Sequence, residues 1–271
     1  MNENSPAEGT PLHSFSRSES ADVRNVGTGQ PRPGDEEGAP VLHSFPVQVN
    51  PALQPPQANP TLQQSSTQAN PSLQPFIEGL NELGLAITEQ QSQQFLRYQQ
   101  ELLDWNTRMN LTSITKPEEV LIKHFLDSLS LLMVYDAPAA RVLDIGAGAG
   151  FPGLPLKILR PQWHIVLLEA TGKKVRFLQH IIETLQLKDV VAVHGRAEEL
   201  GHRADYRGLF DLVTARAVTS LPALIEYAAP FCCVGGQMVF PKKGDLAEEL
   251  ARGKRAASQL GTRFKADVQV M

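Results

Sequence analysis

A doubly wound α/β domain is the fold that the sequence predicts, and three observations predict it. From residue 141 onward, short apolar runs alternate with helical segments. A glycine-rich stretch, residues 144–153, follows the first of those runs directly, and before residue 76 the composition is of another kind altogether. Continuous apolar strands separated by helices indicate a parallel sheet covered on both faces.

Taken in order, residues 1–75 hold 12 of the 20 prolines and no aromatic side chain besides Phe15 and Phe45. Such a stretch buries too little apolar surface to offset its ordering entropy, so it is expected to be a disordered, low-complexity tail. Its echoes at Asn50-Pro51, Asn59-Pro60 and Asn70-Pro71 are too irregular and too short for a stacked repeat. Residues 76–138 read as a helical cap. Thr88 with Gln91 forms a capping box, and Phe95, Leu96, Leu102, Leu103 and Met109 follow at helical spacing. A second helix starts at Pro117, with Glu118 and Glu119 in its first turn and Leu121, Ile122, Phe125, Leu129 and Leu132 as its apolar stripe. In residues 139–271, strands are expected at 141–145, 164–168, 190–193, 209–214 and 237–240, and helices at 173–187, 221–231 and 246–260.

Composition excludes several classes. No apolar run reaches the roughly 18 residues of a spanning helix, and the first thirty residues lack a signal sequence's apolar centre. The two cysteines, Cys232 and Cys233, are adjacent, which disfavours a structural disulfide and offers no metal clamp. A cytoplasmic, metal-free monomer is the expectation. The tail carries 3 basic and 7 acidic residues, leaving 22 of each in residues 76–271. Nucleic acid would therefore be met through local clusters, such as Lys173-Lys174 and Lys242-Lys243, because no global field draws the domain to phosphate.

In the loop, Gly146 and Gly148 permit a sharp turn and close backbone approach where open α/β sheets bind nucleotides. A dinucleotide fingerprint needs a glycine at 151, where this chain has Phe151. Gly146, Gly148 and Gly150, with Asp144 two residues before, match instead the form of S-adenosylmethionine sites. Glu169, ending the second strand, can accept from both ribose hydroxyls of either ligand. No Tyr-x-x-x-Lys pair accompanies the loop, so methyl transfer is favoured over an NAD(P)-dependent oxidoreductase. A non-enzymatic RNA-binding module is the third reading, and the loop with Glu169 argues against it.

Asn110-Leu111-Thr112-Ser113-Ile114, Lys123-His124-Phe125-Leu126-Asp127-Ser128-Leu129, Gly150-Phe151-Pro152-Gly153, Lys173-Lys174, Ala215-Arg216-Ala217 and Lys243-Gly244 occur in that order. Over about residues 78–270 the chain resembles the ribosomal RNA small subunit methyltransferase G family, also called glucose-inhibited division protein B. The resemblance implies a Rossmann-like, class I S-adenosylmethionine-dependent enzyme. Its implied reaction is methylation of the N7 of one guanine in 16S ribosomal RNA, as RNA or small ribosomal subunit, with neither DNA nor membrane as partner. It places cofactor contacts on Gly146, Phe151, Ala197, Glu198 and Arg216, beside Asp144, Gly148 and Glu169 from the loop reading. It also implies a strand or two beyond Met271, so that the strand at 237–240 would here be bare along one side.

The residues read alone agree with that chemistry. Guanine N7 carries a free lone pair, so the reaction needs alignment and exclusion of water rather than a base. After the fourth strand the chain reads Thr214-Ala215-Arg216-Ala217, without the Asn-Pro-Pro-Tyr of amino-group methylases. Cys232 and Cys233, expected at an apolar helix end, read as small buried hydrophobes. Arg216 and Lys243, at the carboxyl ends of expected strands, are the candidate catalytic cations. Lys173 and Lys174 begin a helix whose dipole disfavours them, which an anion nearby would explain, so with Lys243 they are the candidate RNA contacts. His124 and Asp127, three apart on one helix, read as a hydrogen-bonding pair or an RNA contact rather than as a base.

Overall fold

The structure, a computed structural model, describes residues 12–17, 73–243 and 246–268. A seven-stranded sheet runs in the order β4-β3-β2-β5-β6-β1-β7. Its five parallel strands are β2 (Arg141–Ile145), β3 (His164–Glu169), β4 (Val190–His194), β5 (Phe210–Thr214) and β6 (Cys232–Pro241). They overlap the expected runs, with β5 starting one residue later than expected and β6 five residues earlier. Along each strand alternate side chains take opposite faces. Val142, Ile165, Leu167 and Leu212 join one core, and Leu143, Val166, Leu168 and Val213 join the other.

The first core is covered by α5 (Gly153–Leu159), α6 (Gly172–Thr184) and the cap helices α1 (Gln74–Glu82) and α2 (Glu89–Asn106). The second lies under α7 (Ala197–Leu200), α8 (Leu221–Ala228) and α9 (Ala247–Gln259). Thr88 Oγ1 accepts from Gln91 N–H while Gln91 accepts from Thr88 N–H, completing the capping box read from the sequence. Helix α1 had no counterpart in the sequence reading. Among the described residues, no helix is long and apolar enough to cross a membrane.

The second cap helix departs from a regular α-helix. It opens as α3 (Pro117–Val120), widens to π geometry over Leu121–Leu126, returns to α over α4 (Asp127–Leu129) and ends as a 3-10 turn, Ser130–Met133. Single π turns are rare inside helices and concentrate at functional sites.

Three expectations need correction. Within the tail, Leu12–Arg17 forms strand β1, which lies antiparallel between β6 and β7 (Thr262–Val268). Residues 1–11 and 18–72 of that expected tail lie outside the described residues. In consequence β6 is not bare: Gln237, Met238, Val239, Phe240 and Pro241 pair with Ser16, Phe15, Ser14, His13 and Leu12. Cys232 begins a strand rather than ending a helix, because α8 closes at Ala228 and the chain turns at Pro230. Cys232 is buried, and the half-buried Cys233 thiol is pushed up by burial and by the Asp211 carboxylate, so neither is an activated nucleophile.

Candidate active site

Because the five parallel strands share one direction, their carboxyl ends bring five loops to one rim of the sheet. Asp144 lies near the end of β2 and the glycine loop follows that strand, Glu169 ends β3, Ala197 and Glu198 follow β4, Arg216 follows β5 and Lys243 follows β6. The rim thus collects every expected cofactor and catalytic residue.

Two carboxylates hold the glycine loop. Asp144 is fully buried, and its Oδ2 accepts from Gly153 N–H at 2.9 Å at the start of α5. Its Oδ1 has no partner among the described residues. Desolvation raises the Asp144 pKa to about 7, against the Gly153 hydrogen bond and the Arg216 charge. Glu169 Oε2 accepts from Gly148 N–H at 2.9 Å and Oε1 from Thr171 N–H at 2.8 Å. Each Glu169 oxygen keeps a further lone pair.

Gly146 and Gly148 both take positive φ, 68° and 60°. They differ in what surrounds them. A Cβ at Gly146 would lie 2.7 Å from Val218 Cγ2, so that space belongs to a neighbouring side chain rather than to a ligand. At Gly148 a Cβ would meet nothing nearer than Gly146 O at 3.7 Å, which leaves its approach open. The donor set fits an adenosine-bearing cofactor: an open backbone at Gly148, spare carboxylate acceptors on Glu169, and an unpartnered oxygen on Asp144. No cluster of His, Cys, Asp and Glu suited to a metal occurs among the described residues.

Above the loop, Phe151 is the hub of a stacked group. The His124 ring lies on it at 4.5 Å and 16°, Tyr98 stacks on it at 5.7 Å, and the Arg216 guanidinium sits 5.0 Å from its centroid. Tyr98 is fully buried, and its hydroxyl donates to Ala149 O of the loop. Desolvation holds the Tyr98 pKa well above its usual value, so it remains a donor.

Arg216 Nη1 donates to Asp127 Oδ2 at 2.7 Å, and Nη2 donates to His124 Nδ1 at 3.0 Å. Since guanidinium cannot accept, Nδ1 must be the unprotonated ring nitrogen. The Nε2–H then donates to Thr112 Oγ1 at 2.7 Å. That assignment requires a neutral ring. Desolvation first, and then the Arg216 charge, lower the His124 pKa to about 4. Asn106 sets Thr112 in turn, accepting from Leu111 and Thr112 N–H and donating to Thr112 O. Lys243 Nζ lies 3.7 Å from Asp127 Oδ1 with its side chain 64% exposed, so one carboxylate faces both candidate catalytic cations.

The remaining expected residues stand apart from this cluster. Lys173 is exposed and Lys174 half-buried in the first turn of α6, next to the loop that Glu169 caps. Ala197 is buried and Glu198 exposed at the start of α7, where Glu198 hydrogen-bonds Tyr227 of α8. Sequence reasoning missed Tyr98, Thr112, Asn106 and Val218. Tyr98 lies between Leu96 and Leu102 of the expected stripe but was not part of it, and nothing local marked its hydroxyl.

Comparisons with known proteins point one way. The model of a family described as rRNA small subunit methyltransferase G matches residues 91–269. A protein of Roseiflexus castenholzii named ribosomal RNA small subunit methyltransferase G is 48% identical over 178 residues, covering 66% of this chain and 76% of that protein. Proteins of the same name from Dehalococcoides mccartyi (strain CBDB1) and Leuconostoc citreum are 47% identical over 188 residues and 45% over 193. These cover 69% and 70% of this chain and 80% and 81% of the relatives.

Proposed function

The chain belongs to the rRNA small subunit methyltransferase G family, and from that membership and the geometry of the rim we propose that it methylates the N7 of one guanine in 16S ribosomal RNA. It is a methyltransferase acting on ribosomal RNA of the small subunit. S-adenosylmethionine, when bound, supplies an electrophilic methyl group on a sulfonium sulfur.

The observation that carries the reading is the Glu169 carboxylate, tied by both oxygens to the backbone of Gly148 and Thr171 and still able to accept from two ribose hydroxyls. Gly148 offers the backbone surface for that ligand, with Gly146 shaping the turn and Asp144 fixing its far end at Gly153. Ala197 and Glu198 border the same ligand from the next loop, and Phe151 walls it beside Arg216. With its end edge given to Asp127 and His124, Arg216 retains Nε–H and one Nη2–H for an oxygen of cofactor or guanine.

N7 brings its own lone pair, so no residue has to remove a proton before attack. The rim agrees: His124 has both ring nitrogens engaged, Asp127 is committed to two cations, and the cysteines lie elsewhere. Arg216 and Lys243 orient the base and the cofactor through their N–H donors, while Lys173 and Lys174 hold phosphates at the mouth of the β3–α6 loop.

The test is to incubate the protein with labelled S-adenosylmethionine and small ribosomal subunits or 16S RNA, then to map the labelled nucleotide. One guanine carrying the label on N7 is the expected result. Label on an amino group, a ring carbon or a ribose would overturn the N7 assignment, and cofactor binding without any label on RNA would overturn the substrate.

A further inference from the structure

Strand β1 holds an unusual place. Among the described residues, β7 pairs with no strand except β1, so the last strand joins the sheet only through Leu12–Arg17. Its central residue, Ser14, is completely enclosed where it pairs with Val239 on one side and Ala266 on the other. A larger side chain there would have to displace packed neighbours. The slot between β6 and β7 therefore selects a short antiparallel segment with a small third residue.

The chain contains a second segment of that kind. Leu12-His13-Ser14-Phe15 recurs as Leu42-His43-Ser44-Phe45, thirty residues later and outside the described residues. The flanks differ. After the first copy come Ser16 and Arg17, which extend the ladder to Gln237, Arg263 and Thr262. After the second comes Pro46, which has no N–H to donate and is excluded from the interior of a sheet. The first copy thus offers six ladder positions and the second four, which explains why Leu12–Arg17 fills the slot.

We infer that the slot between β6 and β7 is a strand-receiving site for the Leu-His-Ser-Phe sequence, and that residues 42–45 of the same chain are its alternative occupant. When the first copy leaves, the second closes the sheet over a shorter ladder. Exchange keeps α9 and β7 docked while the amino-terminal residues become available elsewhere. The inference stands apart from the reaction assigned to the rim.

Hydrogen exchange on the full chain, read by mass spectrometry, tests it with Ser14→Pro, Ser44→Pro and the double variant. Ser44→Pro should match the parent. Ser14→Pro should keep the amides of β6 and β7 protected, with new protection at 42–45, whereas the double variant should exchange there faster by on the order of tenfold or more. A synthetic peptide of residues 39–48 should restore protection to the double variant. If Ser14→Pro exchanges as fast as the double variant, or if the double variant matches the parent, the second copy is no occupant and the inference fails. Protection in Ser14→Pro that appears only at concentrations where the protein sediments as a dimer would overturn it in favour of a strand from a second copy.

Discussion

Arg216 and Asp127, 89 residues apart in the chain, form a hydrogen-bonded ion pair at 2.7 Å with side chains only 15% and 9% exposed. Asp127 stands immediately after the π turn of the cap, and Arg216 two residues after the end of β5. The pair joins the helical cap to the methyltransferase sheet at the rim itself.

Breaking that pair should cost more than removing it. Asp127→Ala leaves a guanidinium without its counter-charge and should destabilise the protein by about 3 kcal/mol, whereas Asp127→Ala with Arg216→Met should cost less than the single change. Urea unfolding of the four proteins decides this. A double variant as unstable as the sum of the singles would mean that the two charges do not depend on each other.

Two buried groups should make opposite demands on pH. His124 takes its proton near 4 in the fold but near 6.5 when unfolded, so the unfolded chain binds the extra proton between those values and the His124 contribution to stability is lost as pH falls through that window. Asp144 holds its proton up to about 7 in the fold against 3.8 unfolded, so its contribution is lost as pH rises from 3.8 toward 7. Unfolding free energies between pH 4.5 and 6.5 should therefore rise with pH in Asp144→Asn and fall with pH in His124→Gln, relative to the parent. Parallel profiles for the two variants would refute both protonation assignments.

Glu169→Gln should weaken S-adenosylmethionine binding although it changes one atom. Both carboxylate oxygens accept from backbone N–H groups, so either orientation of the amide points its NH2 at a donor, Gly148 or Thr171. A loss of about 1 to 3 kcal/mol, roughly five- to 150-fold in affinity, is expected by calorimetric titration. Parent-like affinity would remove Glu169 from the cofactor site.

Neighbouring lysines should separate by role. Lys242 Nζ donates to Thr219 O at 2.7 Å and pairs with Glu249 at 2.8 Å, so Lys242→Ala should lower the melting temperature and leave the salt dependence of RNA binding alone. Lys173→Ala with Lys174→Ala should do the reverse, making the slope of log K against log salt shallower by roughly 0.7 to 0.9 per lost phosphate contact. An unchanged slope would place those two lysines off the RNA surface.

Much of the rim was legible because its signals are local. A glycine-rich turn after an apolar run, an acid at the end of the next run and cations after the later ones all fall within single loops, and the parallel sheet then gathers them. The π turn was not legible, since the apolar stripe from Leu121 to Leu132 reads as helical whether or not one turn is widened. Strand β1 was lost for a different reason. Leu12–Arg17 is six residues within a proline-rich segment, and what makes it a strand is the pair of partners more than two hundred positions away. No window along the chain contains that information.

The same placement orders events during synthesis. Leu12–Arg17 leaves the ribosome early, yet the strands on either side of it are completed only at Pro241 and Val268. At elongation rates of about 5 to 20 residues per second, the segment waits on the order of ten seconds or longer for a partner. Local elements such as α2, and strands β2 to β4, which pair in sequence, can form in that interval, whereas closure around β1 carries the largest sequence separation of any strand pairing among the described residues and must come late. Once they emerge, and until β1 docks, the edge of β6 and then the unattached α9–β7 unit are the surfaces a chaperone would meet.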